Sequence, residues 1–419
     1  MRKTPEQLYS EREKRINDAI QLREPDRVPV VPLLAFFCCH YAGIMPQEAF
    51  EDAAKATKAW EKTIKDLEPD ATYSVNFSIS APHSTLEELD FKAIKWPGHG
   101  VSPHHSFQFV EGEYMLADEY EAFLSNTGDY LVRTFLPRIA GSLEGFTMLP
   151  TFDLITLGYV WPSTLAALAN PKITESFASL LRAVGKQADW SSAYGRLGNE
   201  LIAAGYPSIK EQTTLAPFDL IANNLRGTRG AMLDMYRQPD RLLAAIEMVT
   251  PLMINIGTQG AKRRGNPRVF IPLHKGADDF MSEEQYKRFY WPSLQKLILG
   301  LINADCNPYL LFEGKYTSRL HIIRDVPKGK CIYHFEDTDM TKAKEVLGDI
   351  VCLMGNVPLS LLFTGTTDEV EEYCKKLIDV VGDGGGFIMS AGGLIDEAKT
   401  ENVKTMIDFT KEYGVYGDK

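Results

Sequence analysis

The second half of the chain alternates short apolar runs with segments of helical period. Such alternation indicates repeated strand–helix units whose parallel strands are apolar on both faces. Residues 28–34 and 71–77 have the same character and are predicted to be the first two strands. Repeated units of this kind close most simply into a (β/α)8 barrel of the α/β class. The later predicted strands cover residues 268–273, 308–312, 330–335, 350–354 and 386–390.

Two of the predicted helices begin at capping boxes. Ser282 is followed three residues later by Gln285, and Thr366 by Glu369. In this arrangement each side chain caps a backbone N–H of the first turn, so the pair marks where a helix starts. The patterns that follow predict helices over residues 284–302 and 368–381.

Residues 88–213 are less regular than the rest. We interpret this stretch as a long insertion over the barrel mouth, with a helix over residues 163–185. The sequence contains no internal repeat and no flexible linker, so residues 1–419 are predicted to form a single barrel domain that carries this lid.

Composition and charge restrict the classes of function. Of the 419 residues, 44% are hydrophobic and 24% charged, so a large core is available. The formal net charge of -11 argues against a nucleic-acid or anionic-membrane surface. We found no apolar stretch of the length that spans a bilayer. The six cysteines form no Cys-x-x-Cys pair, which favours reduced thiols in the cytoplasm.

Polar side chains follow five consecutive predicted strands, at the carboxyl ends where barrel enzymes carry their active sites. A buried carboxylate or imidazole is costly unless it is paired or bound to a metal. Asp337 and Asp339 fit the simpler role of capping the next helix. For the histidines, the simpler role is hydrogen bonding to buried backbone groups. The candidates are His274, Glu313, His334 with Glu336, Asn356 and Ser390.

Short motifs at both ends of the chain resemble the uroporphyrinogen decarboxylase superfamily. They include Glu24-Pro25-Asp26-Arg27 near the N-terminus, and Gly355-Asn356-Val357-Pro358 and Gly384-Gly385-Gly386 in the C-terminal third. In the thiol-methylating branch of that family, a His-x-Cys-Gly element and a later Cys hold zinc. The corresponding positions here are Leu311, Glu313 and Gly393, so the thiolate site of that branch is absent.

The resemblance and the strand ends together predict a zinc site without cysteine. Its candidate ligands are His274, Glu313 and His334, with Glu336 as the alternative to His334. Imidazole and carboxylate make a harder centre than thiolates do, suited to polarising an oxygen. We assign the catalytic roles to Glu313, Glu336 and His274.

An aromatic run after the first strand is a candidate wall for a flat ligand, although core packing is the simpler role there. His83, His99, His104 and His105 lie in or beside the irregular segment, where exposure is the simpler explanation. The candidate substrate-binding residues are Phe36, Phe37, His40, Tyr73, His83 and Asn356.

The family resemblance restricts the reaction to a few chemistries. Decarboxylases of the family grip an anionic tetrapyrrole with arginines, and residues 34–44 contain none. The chain looks more like the methyltransferases that pass a methyl group from a phenyl methyl ether to Co(I) of a partner corrinoid (cobalamin) protein. Methyl transfer from another donor or to a thiol, and a catalytically silent binding protein, stay open as alternatives. A homodimer is also left open.

Overall fold

The computed structural model describes residues 3–74 and 78–417. Nine strands are found within these ranges. The first three form a small sheet in the order β2-β1-β3, and the other six form a parallel sheet in sequence order. The strands are β1 (Ile94–Pro97), β2 (Gly100–Val101), β3 (Gln108–Phe109), β4 (Gln212–Thr213), β5 (Arg268–Leu273), β6 (Asn307–Phe312), β7 (Ile332–Phe335), β8 (Cys352–Met354) and β9 (Phe387–Ile388).

Two short extended segments close the six-stranded sheet into a barrel. Val30 forms a parallel bridge to Met389 just beyond β9, and Thr72 forms one to Ser208 just before β4. The two segments are joined to each other because Asp70 donates its backbone N–H to the Val30 carbonyl at 2.9 Å. Eight parallel positions therefore surround one axis, and the predicted (β/α)8 fold is confirmed.

Helices surround the barrel and fill the connections. In the first half of the chain they cover Pro5–Ile20, Phe37–Ala42, Pro46–Glu51, Ala53–Leu67, His83–Glu88, Tyr120–Ser125, Thr127–Tyr130, Leu131–Phe135, Leu136–Ile139, Gly141–Met148, Phe152–Ala169 and Pro171–Ala203. In the second half they cover Pro217–Asp219, Leu220–Leu225, Gly227–Arg237, Pro239–Arg264, Glu283–Gln285, Tyr286–Tyr290, Trp291–Asn303, Thr317–Arg319, Leu320–Ile323, Met340–Leu347, Leu359–Thr364, Thr367–Val380 and Thr400–Tyr413.

The barrel interior is a packed apolar core rather than a channel. Inward side chains from the strands meet in one cluster, to which the helix Pro5–Ile20 contributes Ile16, Ala19 and Ile20. That helix lies at the amino-terminal end of the strands, because Arg268 at the start of β5 pairs with Glu13 at 2.6 Å. The polar end of the barrel is therefore the opposite one.

Two arginines near the N-terminus, Arg15 and Arg27 of the quoted motif, have a structural role in this arrangement. Arg15 and Arg27 both pair with the buried Asp70, at 2.6 and 2.8 Å. Asp70 also accepts the backbone N–H of Val30 at 2.8 Å. The Asp70 carboxylate ties the first two barrel segments together, and its burial is compensated because two guanidinium groups pair with it.

Most predicted elements of the second half are confirmed, with shorter strands. The strand over residues 268–273 has its predicted limits, and both capping boxes are present at Ser282 and Thr366. The predicted strand over 28–34 is reduced to isolated bridges. In the strand over 71–77, Thr72 makes a single bridge, and residues 75–77 lie outside the described residues.

The predicted helix over residues 163–185 is helical in the structure, but its bounds are wrong. Two helices occupy this region, a 3-10 helix at Phe152–Ala169 and a 33-residue α-helix at Pro171–Ala203. The Asn170 side chain accepts the Lys172 N–H, and Pro171 occupies the first turn. A capping side chain and a proline in the first turn both mark the start of a helix, so the α-helix begins after residue 170. The apolar period used for the prediction does not show this boundary.

The expectation that no stretch has the length and composition of a membrane span is also wrong. Phe152–Ala169 and Pro239–Arg264 both meet that test by length and composition alone. Pro239–Arg264 packs against the helix Trp291–Asn303 on the outside of the barrel. Phe152–Ala169 is interrupted by Gly158 and Pro162 and buries none of its residues.

Candidate active site at the carboxyl end of the barrel

Strand register places the candidate polar residues in one row. Pro272, Leu311, His334, Met354 and Ile388 are successive partners across β5 to β9. Because side chains alternate between the two faces of a sheet, the residues two positions further on share the same inner face, one level higher. We call this level the rim row; it consists of His274, Glu313, Glu336, Asn356 and Ser390.

His274 and Glu313 meet within the rim row. The imidazole Nε2 lies 3.6 Å from a Glu313 carboxylate oxygen. The other ring nitrogen, Nδ1, lies 2.7 Å from the Asn223 side-chain amide nitrogen. Because one ring nitrogen is held, the ring is fixed with its second nitrogen facing the carboxylate.

Asp219 fixes the backbone that carries His274. Its carboxylate accepts the N–H of His274 at 2.8 Å and that of Lys275 at 3.1 Å. The Tyr290 hydroxyl also donates to it, at 2.7 Å. Complete burial raises the pKa of Asp219, and these hydrogen bonds together with His274 oppose that rise.

Glu313 is a carboxyl group in an unfavourable environment. Burial raises its pKa above the usual value, and the nearby Glu336 and Asp219 raise it further. His274 and Lys275 act in the opposite direction. A carboxylate in such a position is stabilised by a cation, so the environment is suited to a metal ion or to retention of a proton.

Glu336 is held at the same level by the neighbouring strand end. Its carboxylate accepts the backbone N–H of Gly314 at 2.5 Å. Gly314 has a φ of 82°, which lets the chain turn directly after Glu313. A Cβ atom placed on Gly393 would lie 3.7 Å from a Glu336 carboxylate oxygen. A side chain at position 393 would therefore face Glu336.

His334 does not join these residues. It is fully buried one level below the rim row, where Nδ1 lies 2.8 Å from the Tyr309 hydroxyl and Nε2 lies 2.7 Å from the Ala391 carbonyl. Burial lowers its pKa to about 4. Both ring nitrogens are engaged inside the barrel, so the metal role assigned to His334 is wrong in this structure. His334 instead has the simpler role, hydrogen bonding to buried groups within the barrel.

Tyr73 also lies within the barrel rather than at its mouth. Its hydroxyl contacts that of Tyr309, which extends the buried chain of hydrogen bonds from His334. Tyr73 is almost completely buried, so the structure places it under the site and not beside a substrate. Tyr73 therefore has the simpler role of core packing rather than the predicted role in substrate binding.

Asn356 and Ser390, the last two residues of the rim row, differ in their hydrogen bonding. The Asn356 amide donates to the carbonyl of Thr338 at 3.0 Å and to that of Glu336 at 3.3 Å. Its oxygen accepts the Tyr373 hydroxyl at 3.2 Å. Asn356 thus holds the loop that carries Glu336. The Ser390 hydroxyl is buried without a hydrogen-bond partner.

A cavity of about 430 Å³ lies where the chain leaves the first barrel segment, and no rim-row residue lines it. Phe36, His40 and Leu359 line part of it, together with Leu394 and Asp396. One lining residue, Leu359, would lie 3.6 Å from a Cβ atom placed on Gly393, and that atom would also lie 3.7 Å from Glu336. The volume lies within the range of small-molecule sites.

The other predicted binding residues lie elsewhere. Phe37 is buried and packs against Tyr41, with ring centres 5.9 Å apart. His83 begins the helix His83–Glu88 and contacts Glu87 and His99. Of the two predicted caps, Asp339 caps its helix through the Lys342 N–H, whereas Asp337 is exposed and lies 3.6 Å from Lys315.

Two residues of the rim row, His274 and Glu313, are spaced like a pair of zinc ligands. Tetrahedral zinc with bonds of about 2.1 Å separates its ligand atoms by roughly 3.4 Å, and the His274–Glu313 separation of 3.6 Å is close to that value. Glu336 follows the adjacent strand, β7, and its carboxylate accepts the Gly314 N–H. Within the described residues, however, the three do not form a compact three-ligand group.

Sequence reasoning missed Asp219 and Asn223. Both follow β4, so the rule that carboxyl ends carry function applies to them as well. The signal was weak because β4 has only two residues and its apolar run is interrupted by polar ones. The Ala216-Pro217-Phe218-Asp219 turn could have marked the strand end.

This geometry defines a barrel whose polar cluster occupies the carboxyl ends of the strands, the arrangement found in barrel enzymes. Residues 213–413 match the family model described as uroporphyrinogen decarboxylase. The resemblance to the uroporphyrinogen decarboxylase superfamily that the motifs predicted is confirmed over these residues.

Curated relatives include decarboxylases and a methyltransferase. A uroporphyrinogen decarboxylase of Chlorobaculum parvum is 22% identical over 183 residues, which are 42% of this chain and 51% of the relative. The methylcobamide:CoM methyltransferase MtbA of Methanosarcina acetivorans is 24% identical over 136 residues, 32% of this chain and 39% of the relative. The chain therefore matches these two relatives over about half of their length or less.

A solved structure resembles the whole chain. A methyltransferase from Methanosarcina mazei superposes with a TM-score of 0.60 and 16% sequence identity, covering 96% of this chain and 98% of the other. At that identity the likeness shows the fold. It extends over residues 88–213, where the family model does not match.

Proposed function

We propose that this protein is a corrinoid-dependent methyltransferase that takes the methyl group of an aryl methyl ether and passes it to Co(I) of a partner corrinoid protein in the cytoplasm. The observation that carries the proposal is the composition of the rim row. It offers an imidazole, two carboxylates, an amide and a hydroxyl, and no thiolate. Such oxygen-rich groups suit an oxygen leaving group better than a thiol acceptor.

The cysteines support the same choice. All six are free and buried. Burial raises the pKa of Cys39 and of Cys374 to about 12, so these thiols stay protonated at neutral pH. Sequence reasoning expected buried reduced thiols, and a thiolate zinc centre has no donors at the barrel mouth.

The reaction balances without a further reactant. Co(I) donates an electron pair to the methyl carbon while the carbon–oxygen bond breaks, and the bonding pair stays on the phenol oxygen. The products are a methylated corrinoid and a phenolate, which takes up one proton. A phenol has a pKa of about 10, as tyrosine has, so modest stabilisation of the leaving oxygen suffices.

His274, Glu313 and Glu336 are the residues that would hold zinc, which when bound supplies positive charge beside the leaving oxygen. Asp219 and Asn223 orient His274 for that task. Asn356 holds the loop of Glu336. Where Glu313 is protonated, its raised pKa makes it a proton donor to the same oxygen.

The cavity lined by Phe36 and His40 is the proposed site of the aromatic ring. Phe36 stacks on Phe50 with ring centres 6.0 Å apart and an interplanar angle of 2°, so its orientation is fixed by packing. Phe36 and His40 line this cavity, whereas Tyr73 lines a different one and Phe37 packs in the core.

A donor panel tests the proposed function. The protein is incubated with 2-methoxyphenol and Co(I) corrinoid, supplied both as free cob(I)alamin and on a corrinoid protein. The expected result is conversion of Co(I) to methyl-Co(III), with 2-hydroxyphenol as the co-product. Conversion with methanol or a methylamine but with no aryl ether would refute the donor class. Methylation of a thiol from methylcobalamin would favour the thiol-methylating alternative, and inactivity in every arm would favour a silent binding protein.

A further inference from the structure

A second cluster of potential metal ligands lies in the segment between the first two barrel segments and β4. His83 and Glu87 are four residues apart on the helix His83–Glu88 and therefore share one face. His99 reaches the same point from the turn between β1 and β2. His83 Nδ1 lies 3.5 Å from one Glu87 oxygen, and His99 Nε2 lies 3.5 Å from the other. We call these three residues the His83 cluster.

The turn that carries His99 is held in place. Trp96 and His99 exchange two backbone hydrogen bonds, at 2.8 and 3.1 Å. The indole ring of Trp96 stacks on the imidazole, with ring centres 4.9 Å apart and an interplanar angle of 24°. Gly98 and Gly100 take positive φ values of 81° and 87°, which the tight turn requires. His99 is thus presented toward the helix by packing.

The ligand atoms are spaced as a metal ion requires. One donor atom from each of the three residues lies within 4.8 Å of the other two. In the described part of the chain, this is the group of three or more His, Cys, Asp or Glu residues that meets this distance. The two separations of 3.5 Å are close to the roughly 3.4 Å between ligands of tetrahedral zinc.

Two observations argue that these groups do not merely neutralise one another. His83 Nδ1 is buried without a hydrogen-bond partner, so a nitrogen atom faces the cluster with its bonding capacity unused. The nearby cations are engaged elsewhere, because Lys186 and Arg182 both pair with Glu88, at 2.7 and 2.9 Å. Glu87 is left facing two imidazoles.

We propose that His83, Glu87 and His99 bind a divalent transition ion of the zinc class, at a site separate from the rim row. Two imidazoles and one carboxylate are a common zinc donor set, and a fourth position stays open for water. The ion joins the helix His83–Glu88 to the β1–β2 turn and fixes a part of the molecule that few strand hydrogen bonds hold. His83 is then a ligand rather than a substrate-binding residue.

Metal titration of defined variants tests the site. Chelator-treated protein carrying Glu313→Gln is titrated with Zn2+, and with Co2+ as an absorbing probe. The expected result is one equivalent bound with the visible absorption of a tetrahedral Co2+ ion. His83→Ala or His99→Ala in the same background should weaken that binding by at least 100-fold.

His321→Ala is the matched control, because His321 forms an exposed pair with Glu283 at the same 3.5 Å and lacks a third ligand. It should leave metal binding unchanged. Thermal melting of the metal-free variants checks that each still folds. Binding that survives the combined His83→Ala and His99→Ala changes would overturn the proposal, as would absence of binding in the Glu313→Gln protein. Neither outcome depends on the methyl-transfer assay.

Discussion

The rim row and the His83 cluster offer similar chemical groups but are built differently. The rim row lies at the ends of adjacent parallel strands, and its members converge because strand register and side-chain alternation place them on one level. The His83 cluster joins one face of a short helix to a turn about ten residues further on, and its geometry depends on the local contacts of that turn, including the stacking of Trp96 on His99. We infer that the first is built for precise positioning and the second for holding two elements together.

Substitutions in the two clusters should differ most in their effect on the rate of the reaction. Glu313→Gln should lower kcat/KM for ether demethylation by about 10³-fold or more, on the order of 4 kcal/mol, because it removes the carboxylate charge from the rim row. The His83→Ala and His99→Ala pair should change it less than tenfold. Steady-state kinetics with zinc-loaded proteins provide the measurement.

Glu283→Gln controls for the loss of a carboxylate beside a histidine, since Glu283 lies 3.5 Å from His321 at the surface. It should leave kcat/KM unchanged. The comparison fails if removing the His83 cluster costs as much activity as removing Glu313.

The rim row was largely predictable from sequence, and the His83 cluster was not. A regular strand repeat identifies strand ends, and period-two alternation then selects Glu313 and Glu336 without any structure. The error concerned His334, which alternation itself places one level lower, in register with Leu311. No pattern in the sequence predicts that the turn carrying His99 packs against the helix of His83. Such contacts depend on tertiary packing in a segment without a repeating pattern.

A second prediction concerns the layer beneath the rim row. His334 has a pKa lowered to about 4 by burial, below its value of about 6.5 in an unfolded chain. The folded state therefore binds fewer protons, so this contribution to stability is complete above pH 6.5 and is lost as pH falls through 4. The total is on the order of 3 kcal/mol.

Denaturant unfolding of the wild type and His334→Gln between pH 4 and 7 measures this effect. The variant has no imidazole to protonate, so its free energy of unfolding should vary less steeply with pH, whatever its constant offset. An identical pH dependence in the two proteins would show that His334 is accessible to protons. It would then again be a candidate for the rim.

The smallest expected effect tests how the rim row is positioned. Asp219→Asn keeps the size of the side chain but weakens the two backbone hydrogen bonds that hold His274 and Lys275. Groups that orient a ligand typically contribute 10- to 100-fold, so kcat should fall by about tenfold while KM for the ether stays near its original value. A raised KM with unchanged kcat would instead place Asp219 in substrate binding.

The central claim is that an intact methyl group leaves an aryl ether for a corrinoid at this barrel mouth. A single turnover with 2-methoxyphenol bearing a CD3 group, followed by mass spectrometry of the corrinoid and the phenol, tests it most directly. The account predicts CD3-corrinoid and demethylated phenol in equal amounts, with the ether oxygen retained by the phenol. Deuterated formaldehyde, or phenol formed without CD3-corrinoid, would contradict it.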